Sequence, residues 1–128
     1  MIERTSRKNI LLVEDDPSLL YVSKRILQME ASFEIDTASS VNEAFKKINQ
    51  KTYDFIISDY EMPHKNGLEF LTMLKEQGNH VPFVLLFEEK EVAAQALSQG
   101  ACACVFKYDS AETIYRELVR IINLSVIT

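Results

Sequence analysis

Short apolar runs alternate along the chain with segments whose apolar residues recur at helical spacing. The runs predict five strands, at residues 9–13, 33–36, 53–58, 83–87 and 102–106. A segment with helical spacing follows each run after only a few residues, which favours parallel strands joined by helices. Right-handed crossovers place such helices on both faces of the sheet, so we expect a doubly wound α/β fold.

Start and stop signals support the predicted helices. Asp16 and Pro17 supply a cap and a first-turn proline for a helix that extends to about Met29. Ser40 and Glu43 form the pattern of a capping box for a helix through residue 49, and Gly100 is a C-terminal cap for a helix over 91–99. Two further signals are turn chemistry at Asn66-Gly67 and a helix start at Asp109-Ser110-Ala111-Glu112.

Length and charge narrow the class of protein. The 128 residues, 47% of them hydrophobic, predict one domain over 1–128, with a core over about 9–124 and an apolar tail over 125–128 that leads to a partner or to further chain. The net charge of -5 argues against direct binding of nucleic acid or of an anionic membrane. The apolar runs are too short to span a bilayer, and we expect a cytoplasmic protein.

The two cysteines fall on the predicted fifth strand. Cys102 and Cys104 are two residues apart and therefore share one face of that strand. This spacing disfavours an unstrained disulfide, and without further Cys or nearby His a metal site is not supported. We expect reduced thiols in the core.

Acidic residues follow the strands that should occupy the centre of the sheet. Glu14, Asp15 and Asp16 follow the first strand, and Asp59 follows the third. Ligands of doubly wound sheets bind at the carboxyl ends of the strands, so we expect these side chains to converge. Carboxylates about 5 Å apart repel each other by roughly 3 kcal/mol at an effective dielectric constant near 20, and a cation relieves this repulsion. Oxygen ligands of this kind suit Mg²⁺.

Asp59 and Lys107 carry the predicted chemistry. Asp59 comes directly after a buried strand, where a carboxylate can attack phosphorus once a metal offsets the negative charge of both reactants. Lys107 follows the fifth strand and would bring a second positive charge to phosphoryl oxygens. The residues alone therefore indicate a phosphoryl acceptor.

Several motifs together resemble one family. The chain is similar, from about Asn9 to Leu124, to the receiver domain of two-component response regulators. The motifs that carry the resemblance are Ile10-Leu11-Leu12-Val13-Glu14-Asp15-Asp16-Pro17, Ile56-Ile57-Ser58-Asp59-Tyr60-Glu61-Met62-Pro63, Asn66-Gly67 and Phe106-Lys107. The resemblance implies a flavodoxin-like sheet of strand order 2-1-3-4-5.

The resemblance also implies a role for each residue of the predicted site. Asp59 would accept a phosphoryl group from a histidine kinase or a histidine phosphotransfer protein. Mg²⁺ would be held by Asp15, Asp59 and the backbone carbonyl of Glu61, with Glu14 acting mainly through metal-bound water, and Lys107 would pair with the phosphoryl group. The domain would assist its own phosphotransfer and dephosphorylation without being an enzyme. Signal output, and any homodimer, would use the fourth helix, fifth strand and fifth helix.

Four positions depart from the pattern of the family. Phe87 stands where the family has Ser or Thr, and Glu88 stands where a small residue is usual. Cys104 replaces the switch aromatic, and Tyr108 replaces the proline after the lysine, so a cis bond is not expected there. Loss of a hydrogen bond to a charged oxygen, worth about 1.5 to 3 kcal/mol, weakens phosphoryl binding roughly 10- to 150-fold. We expect Glu88 to repel the incoming group.

Three hypotheses follow from these residues. In the first, Asp59 is a competent acceptor whose conformational readout is weakened or rerouted. In the second, the chain is a phosphorylation-independent pseudo-receiver that docks or dimerises through its fourth and fifth helices. The third, a flavodoxin-like electron carrier or an aspartate-nucleophile phosphatase, is disfavoured because a flavin phosphate would meet Glu14, Asp15 and Asp16, and because a phosphatase nucleophile would follow the first strand.

Overall fold

A computed structural model describes residues 7–125 of the chain. Its five strands form one parallel sheet of order β2-β1-β3-β4-β5. The elements in chain order are β1 (Lys8–Val13), α1 (Pro17–Leu27), β2 (Phe33–Ala38), α2 (Val41–Ile48), β3 (Phe55–Asp59), α3 (Gly67–Glu76), β4 (Phe83–Phe87), α4 (Lys90–Ser98), β5 (Ala103–Phe106) and α5 (Ala111–Ser125). The predicted doubly wound α/β fold and its strand order are confirmed.

The sheet separates two layers of apolar side chains. Side chains of α2, α3 and α4 pack on one face, in a core cluster that includes Phe70 and Ala96. Side chains of α1 and α5 pack on the other face, around Leu27 and Ile122. Since β1 and β3 are covered on both faces, their sequences are nearly continuous apolar runs. The carboxyl ends of both strands are therefore buried in the core.

Most of the predicted helix caps are present. The Asp16 carboxylate accepts the Ser18 backbone N–H at 2.9 Å at the start of α1. Ser40 caps α2 through the N–H of Glu43, but the Glu43 carboxylate accepts the N–H of Ser39 instead of the N–H of the cap residue. The predicted capping box of α2 is therefore only half formed. Gly100 follows α4 with a φ of 107°, a conformation that favours glycine.

Two boundaries differ from the prediction because side chains satisfy the backbone differently. β3 begins at Phe55 and includes Asp59, since Asp54 leads into the strand by exchanging backbone and side-chain hydrogen bonds with Asn9. The Asn66-Gly67 pair is the start of α3 and not a separate turn. Asn66 and Glu69 form a complete capping box there, each accepting the other's backbone N–H.

The prediction that both cysteines lie in the core is wrong for Cys102, whereas Cys104 packs against the core cluster of α2, α3 and α4. Cys102 precedes β5 and is exposed, whereas Cys104 is half-buried within it. The reason is that β5 is an edge strand, with a neighbouring strand on one side only. The Cys104 thiol lies 3.5 Å from the carbonyl oxygen of Ala93, and burial raises its pKa to about 11. Cys104 is therefore a protonated thiol at neutral pH.

The C-terminal helix extends to Ser125, at the start of the predicted apolar tail. The rest of that tail, residues 126–128, lies outside the described residues. Within residues 7–125, every helix is too short or too polar to cross a membrane.

Candidate functional site

Three carboxylates meet at the carboxyl edge of the two central strands. β1 and β3 are neighbours, with Val13 opposite Ser58, so the residues that follow β1 lie beside the last residue of β3. One carboxylate oxygen from each of Glu14, Asp15 and Asp59 lies within 4.8 Å of the other two. Asp16, the remaining acid of this segment, caps α1 instead. We call Glu14, Asp15 and Asp59 the acidic cup.

Asp59 is the most buried member of the acidic cup, with 1% of its surface exposed. Its Oδ2 accepts a hydrogen bond from the Lys107 ammonium at 2.9 Å, and its Oδ1 accepts the backbone N–H of Tyr60 at 3.0 Å. Burial raises the pKa of Asp59, while Lys107 opposes that rise. Each carboxylate oxygen thus has a fixed donor, which orients the side chain.

Glu14 is the second buried acid, with 5% of its surface exposed. Burial raises its pKa to about 7; the backbone N–H of Asp16, 3.1 Å from its Oε2, lowers the pKa, and the Asp59 carboxylate adds to the rise. A carboxyl with such a pKa binds either a proton or a cation near neutral pH. Three carboxyl groups, two of them buried, thus share the site with Lys107.

The donor set of the acidic cup fits a hard divalent cation. Its carboxylate oxygens come from two adjacent segments, and Asp15 is only half-buried, which leaves access for metal-bound water. Mg²⁺ takes a few carboxylates and keeps several waters. Glu61, whose carbonyl the resemblance names as a ligand, lies in the loop after β3 with an exposed side chain.

Gly67 holds the backbone of α3 tightly against Asp59. A Cβ atom at this position would lie 2.5 Å from the Asp59 carbonyl oxygen and 2.6 Å from Cδ1 of Leu85. The Gly67 N–H donates to the Tyr60 carbonyl oxygen at 2.9 Å, which closes the loop after β3. Sequence reasoning did not identify this contact, although the capping pattern Asn66-x-x-Glu69 indicates a helix that begins at this glycine.

The ends of β4 and β5 form the other side of the site. Oε2 of Glu88 lies 3.7 Å from the Lys107 ammonium, which also binds Asp59. The Glu88 carboxylate lies beside the Tyr108 side chain and raises the pKa of Tyr108. Phe87 is half-buried against the core cluster of α3 and α4, and its ring centroid lies 5.7 Å from that of Phe106.

The altered positions thus fall into two groups. Glu88 and Tyr108 contact the site through Lys107, whereas Cys104 faces Ala93 of α4. All peptide bonds of residues 7–125, including the one before Tyr108, are trans. Sequence reasoning anticipated repulsion by Glu88 but missed its pairing with Lys107 and Tyr108.

A doubly wound sheet with a buried aspartate, flanking acids and a lysine at its carboxyl edge defines a class of phosphoryl-accepting α/β domains. The family model described as the response regulator receiver domain matches residues 10–119, and the chain belongs to this family.

Curated relatives agree with this assignment. The transcriptional regulatory protein MalR of Bacillus subtilis is 35% identical over 102 residues, which are 77% of this chain and 43% of the relative. The sensor protein EvgS of Escherichia coli is 30% identical over 101 residues, which are 77% of this chain and 8% of the relative. The chain spans less than half the length of these relatives.

Solved structures show the same fold. The chemotaxis response regulator CheY4 of Vibrio cholerae superposes with a TM-score of 0.80 at 29% identity, covering 91% of this chain and 99% of that chain. The response regulator protein TrrA of Thermotoga maritima, solved in complex with Mg²⁺-BeF, has a TM-score of 0.77 at 31% identity and covers 89% of this chain and 98% of that chain.

Proposed function

We propose that this receiver domain accepts a phosphoryl group on Asp59 from a phosphohistidine donor with the help of Mg²⁺. The observation that carries the proposal is the buried Asp59 carboxylate, bound to Lys107 at 2.9 Å and grouped with Glu14 and Asp15. A nucleophile held in one orientation beside a positive charge favours in-line attack on phosphorus.

The transfer exchanges one bond to phosphorus for another. A carboxylate oxygen of Asp59 attacks the phosphorus, and the phosphorus–nitrogen bond of the donor breaks. The bonding electron pair remains on the imidazole nitrogen of the donor histidine. Lys107 stabilises the charge that develops on the phosphoryl oxygens, and the Tyr60 N–H keeps the carboxylate oriented.

The same residues support the proposal of magnesium binding. Glu14, Asp15 and Asp59 would hold the ion together with the backbone carbonyl of Glu61, and Glu14 would act mainly through metal-bound water. Bound Mg²⁺ would offset the repulsion between the carboxylates and the phosphoryl oxygens. The Mg²⁺-BeF complex of the Thermotoga relative supports this part of the proposal.

The domain acts as a phosphoacceptor and not as an enzyme with a separate substrate. Its product is the modified chain, and the same acidic cup would position the water that removes the phosphoryl group. The cup thus assists both phosphotransfer and dephosphorylation, and the ratio of the two rates sets the lifetime of the signal.

A groove beside the acidic cup is the proposed docking site for the donor, a histidine kinase or a histidine phosphotransfer protein. It has a volume of about 250 Å³, lies between α1 and α5, and includes Lys107 among its lining residues. Leu19 and Val22 of α1 line it and are 43% and 51% exposed. Val22→Lys should slow phosphorylation by a protein donor but not by a small phosphodonor, and Met29→Lys, at an exposed apolar position outside the groove, should slow neither.

A second copy of the chain is the proposed partner for the surface of α4, β5 and α5. Exposed apolar side chains lie there, among them Leu97, Phe106 and Leu124. Apolar exposure of this kind favours association. Sedimentation of the phosphorylated and unphosphorylated protein tests this partner directly.

Mass spectrometry of the intact protein tests phosphorylation itself. After incubation with a small acyl phosphate and Mg²⁺, the wild type should gain the mass of one phosphoryl group, and Asp59→Asn should gain none. Asp16→Asn is the matched control, because asparagine caps α1 as well as aspartate does and lies outside the acidic cup. Unlabelled wild type, under conditions that label a standard receiver, would contradict the proposal.

One observation favours a second function, that of a phosphorylation-independent docking module. Glu88 already supplies Lys107 with a carboxylate, as a phosphoryl group would supply it with an anion. If this function applies, Asp59→Asn should leave partner binding unchanged, and neither the wild type nor Glu88→Gln should be labelled. Partner binding that changes on labelling would exclude it.

A further inference from the structure

Four side chains form a continuous series of polar contacts from the buried aspartate to the protein surface. Asp59 binds Lys107, Lys107 lies 3.7 Å from Glu88, and the Glu88 carboxylate lies beside Tyr108, whose pKa it raises. Exposure rises along the series, from 1% for Asp59 to 67% for Tyr108. The state of Asp59 is therefore connected to an aromatic ring in solvent.

Phosphorylation would change the charge balance at the centre of this series. Lys107 now divides its charge between the carboxylates of Asp59 and Glu88. A phosphoryl group on Asp59 carries about two negative charges and prefers the same ammonium. Because like charges repel each other, the phosphoryl group would drive the Glu88 carboxylate away from Lys107.

The aromatic end of the series would report this displacement. The Tyr108 ring packs edge to face against Phe106 with 5.8 Å between centroids, and Phe106 packs against Phe87. Glu88 acts electrostatically on the Tyr108 hydroxyl and also pairs with Lys107, so it connects this ring to the site. Movement of Glu88 would therefore alter an aromatic row at the edge of the sheet that is partly exposed.

We propose that Glu88 and Tyr108 form the conformational readout of Asp59 in this chain. The phosphoryl group takes Lys107 from Glu88, Glu88 moves away, and the Tyr108 ring changes its position on Phe106. This inference rests on the proposed phosphorylation of Asp59 and assigns the rerouted coupling to named side chains. Glu88 also competes with the phosphoryl group for Lys107. This competition slows phosphorylation until Glu88 is displaced.

Nuclear magnetic resonance of the full chain with ¹³C-labelled tyrosine rings tests the readout. The chain has five tyrosines, and the Tyr108 signal is the one absent from Tyr108→Phe. Labelling of Asp59 with a small acyl phosphate and Mg²⁺ should shift the Tyr108 signal. The Tyr53 signal should stay in place, because that ring is buried and bonded to Asp36 of β2.

Glu88→Gln separates the readout from the chemistry, and Glu89→Gln is its matched control. The first variant removes the competing charge and should be labelled about tenfold faster than wild type, with less than about half of the Tyr108 shift. Glu89→Gln removes the same charge one residue later. The Glu89 side chain does not cap α4, so this variant should behave as wild type.

The outcomes distinguish this inference from the proposed function. Labelled wild-type protein with an unmoved Tyr108 signal, or an equal Tyr108 shift in Glu88→Gln, overturns the readout and leaves the phosphoacceptor intact. Absence of labelling in both wild type and Glu88→Gln overturns the phosphoacceptor, and the readout with it.

Discussion

The two halves of the carboxyl edge of the sheet differ in how their side chains are held. At the ends of β1 and β3, Glu14 and Asp59 are buried, and Gly67 keeps the backbone of α3 against Asp59. At the ends of β4 and β5, Glu88 is half-buried and Tyr108 is mostly exposed. The first half keeps the acids of the family pattern. The second half has Phe87 in place of the Ser or Thr, and Cys104 in place of the switch aromatic.

This difference indicates that the proposed acceptor site and the proposed readout can change independently of each other. The acidic cup depends on the backbone of two central strands, which the core fixes from both faces. The proposed readout depends on half-buried and exposed side chains at the ends of β4 and β5. One half can therefore retain its chemistry while the other half is rebuilt.

The largest expected effect concerns the buried Glu14 carboxyl of the β1–β3 half and the pH dependence of stability that it causes. The pKa of Glu14 is raised from 4.5 to about 7, so the folded state binds more protons than the unfolded state in this window. Without Mg²⁺, the free energy of unfolding should therefore fall as pH rises from 4.5 to 7, by up to about 3 kcal/mol relative to Glu14→Gln. Urea unfolding of both proteins across this range measures the difference.

Glu76→Gln is the control for this comparison, because Glu76 is exposed at the end of α3. Its stability should follow that of wild type at every pH. If the free energy of unfolding depends on pH in the same way for wild type and Glu14→Gln, folding does not raise the pKa of Glu14.

A second test removes one metal ligand from the same half. Asp15→Asn should weaken Mg²⁺ binding by about 10- to 100-fold, since the ion loses a charged oxygen ligand. Asp16→Asn should bind Mg²⁺ as wild type does, because Asp16 caps α1 outside the acidic cup. Calorimetric titration measures both constants. Equal weakening by both variants would mean that only the total charge of the segment matters.

The third test addresses the backbone that supports the acidic cup. Gly67→Ala places a Cβ against the Asp59 carbonyl and should cost about 1 to 3 kcal/mol of unfolding free energy, with weaker Mg²⁺ binding. Gly78→Ala is a suitable control: its φ of 76° makes alanine costly by about 1 to 2 kcal/mol, but nothing lies near the new atom. That variant should lose stability and keep its Mg²⁺ affinity.

The smallest of these effects concerns the β4–β5 half. Phe87→Thr restores a hydroxyl at the end of β4, and Phe87→Val has the same shape without it. The threonine variant should be phosphorylated about tenfold faster than the valine variant, the lower end of what a hydrogen bond to a charged oxygen contributes. Both should lose similar stability relative to wild type. Equal labelling rates would show that this half does not contact the phosphoryl group.

The fold and the position of the acids could be predicted from sequence because both follow from local patterns. Apolar runs fix the strands, and parallel strands bring their following residues to one edge. The pairing of Glu88 with Lys107 and Tyr108 could not be predicted, since it depends on side-chain geometry between two strand ends. The burial of Cys102 was wrongly predicted for a similar reason: exposure at an edge strand depends on what covers it.

Locating the modified residue tests the central claim most directly. The protein is incubated with a small acyl phosphate, with and without Mg²⁺, and then reduced with borohydride, which converts a phosphorylated aspartate to homoserine. Peptide mass spectrometry should find homoserine at position 59 in the Mg²⁺ sample and far less without the ion. Homoserine at another acid, or labelling of position 59 that is indifferent to Mg²⁺, would contradict the account.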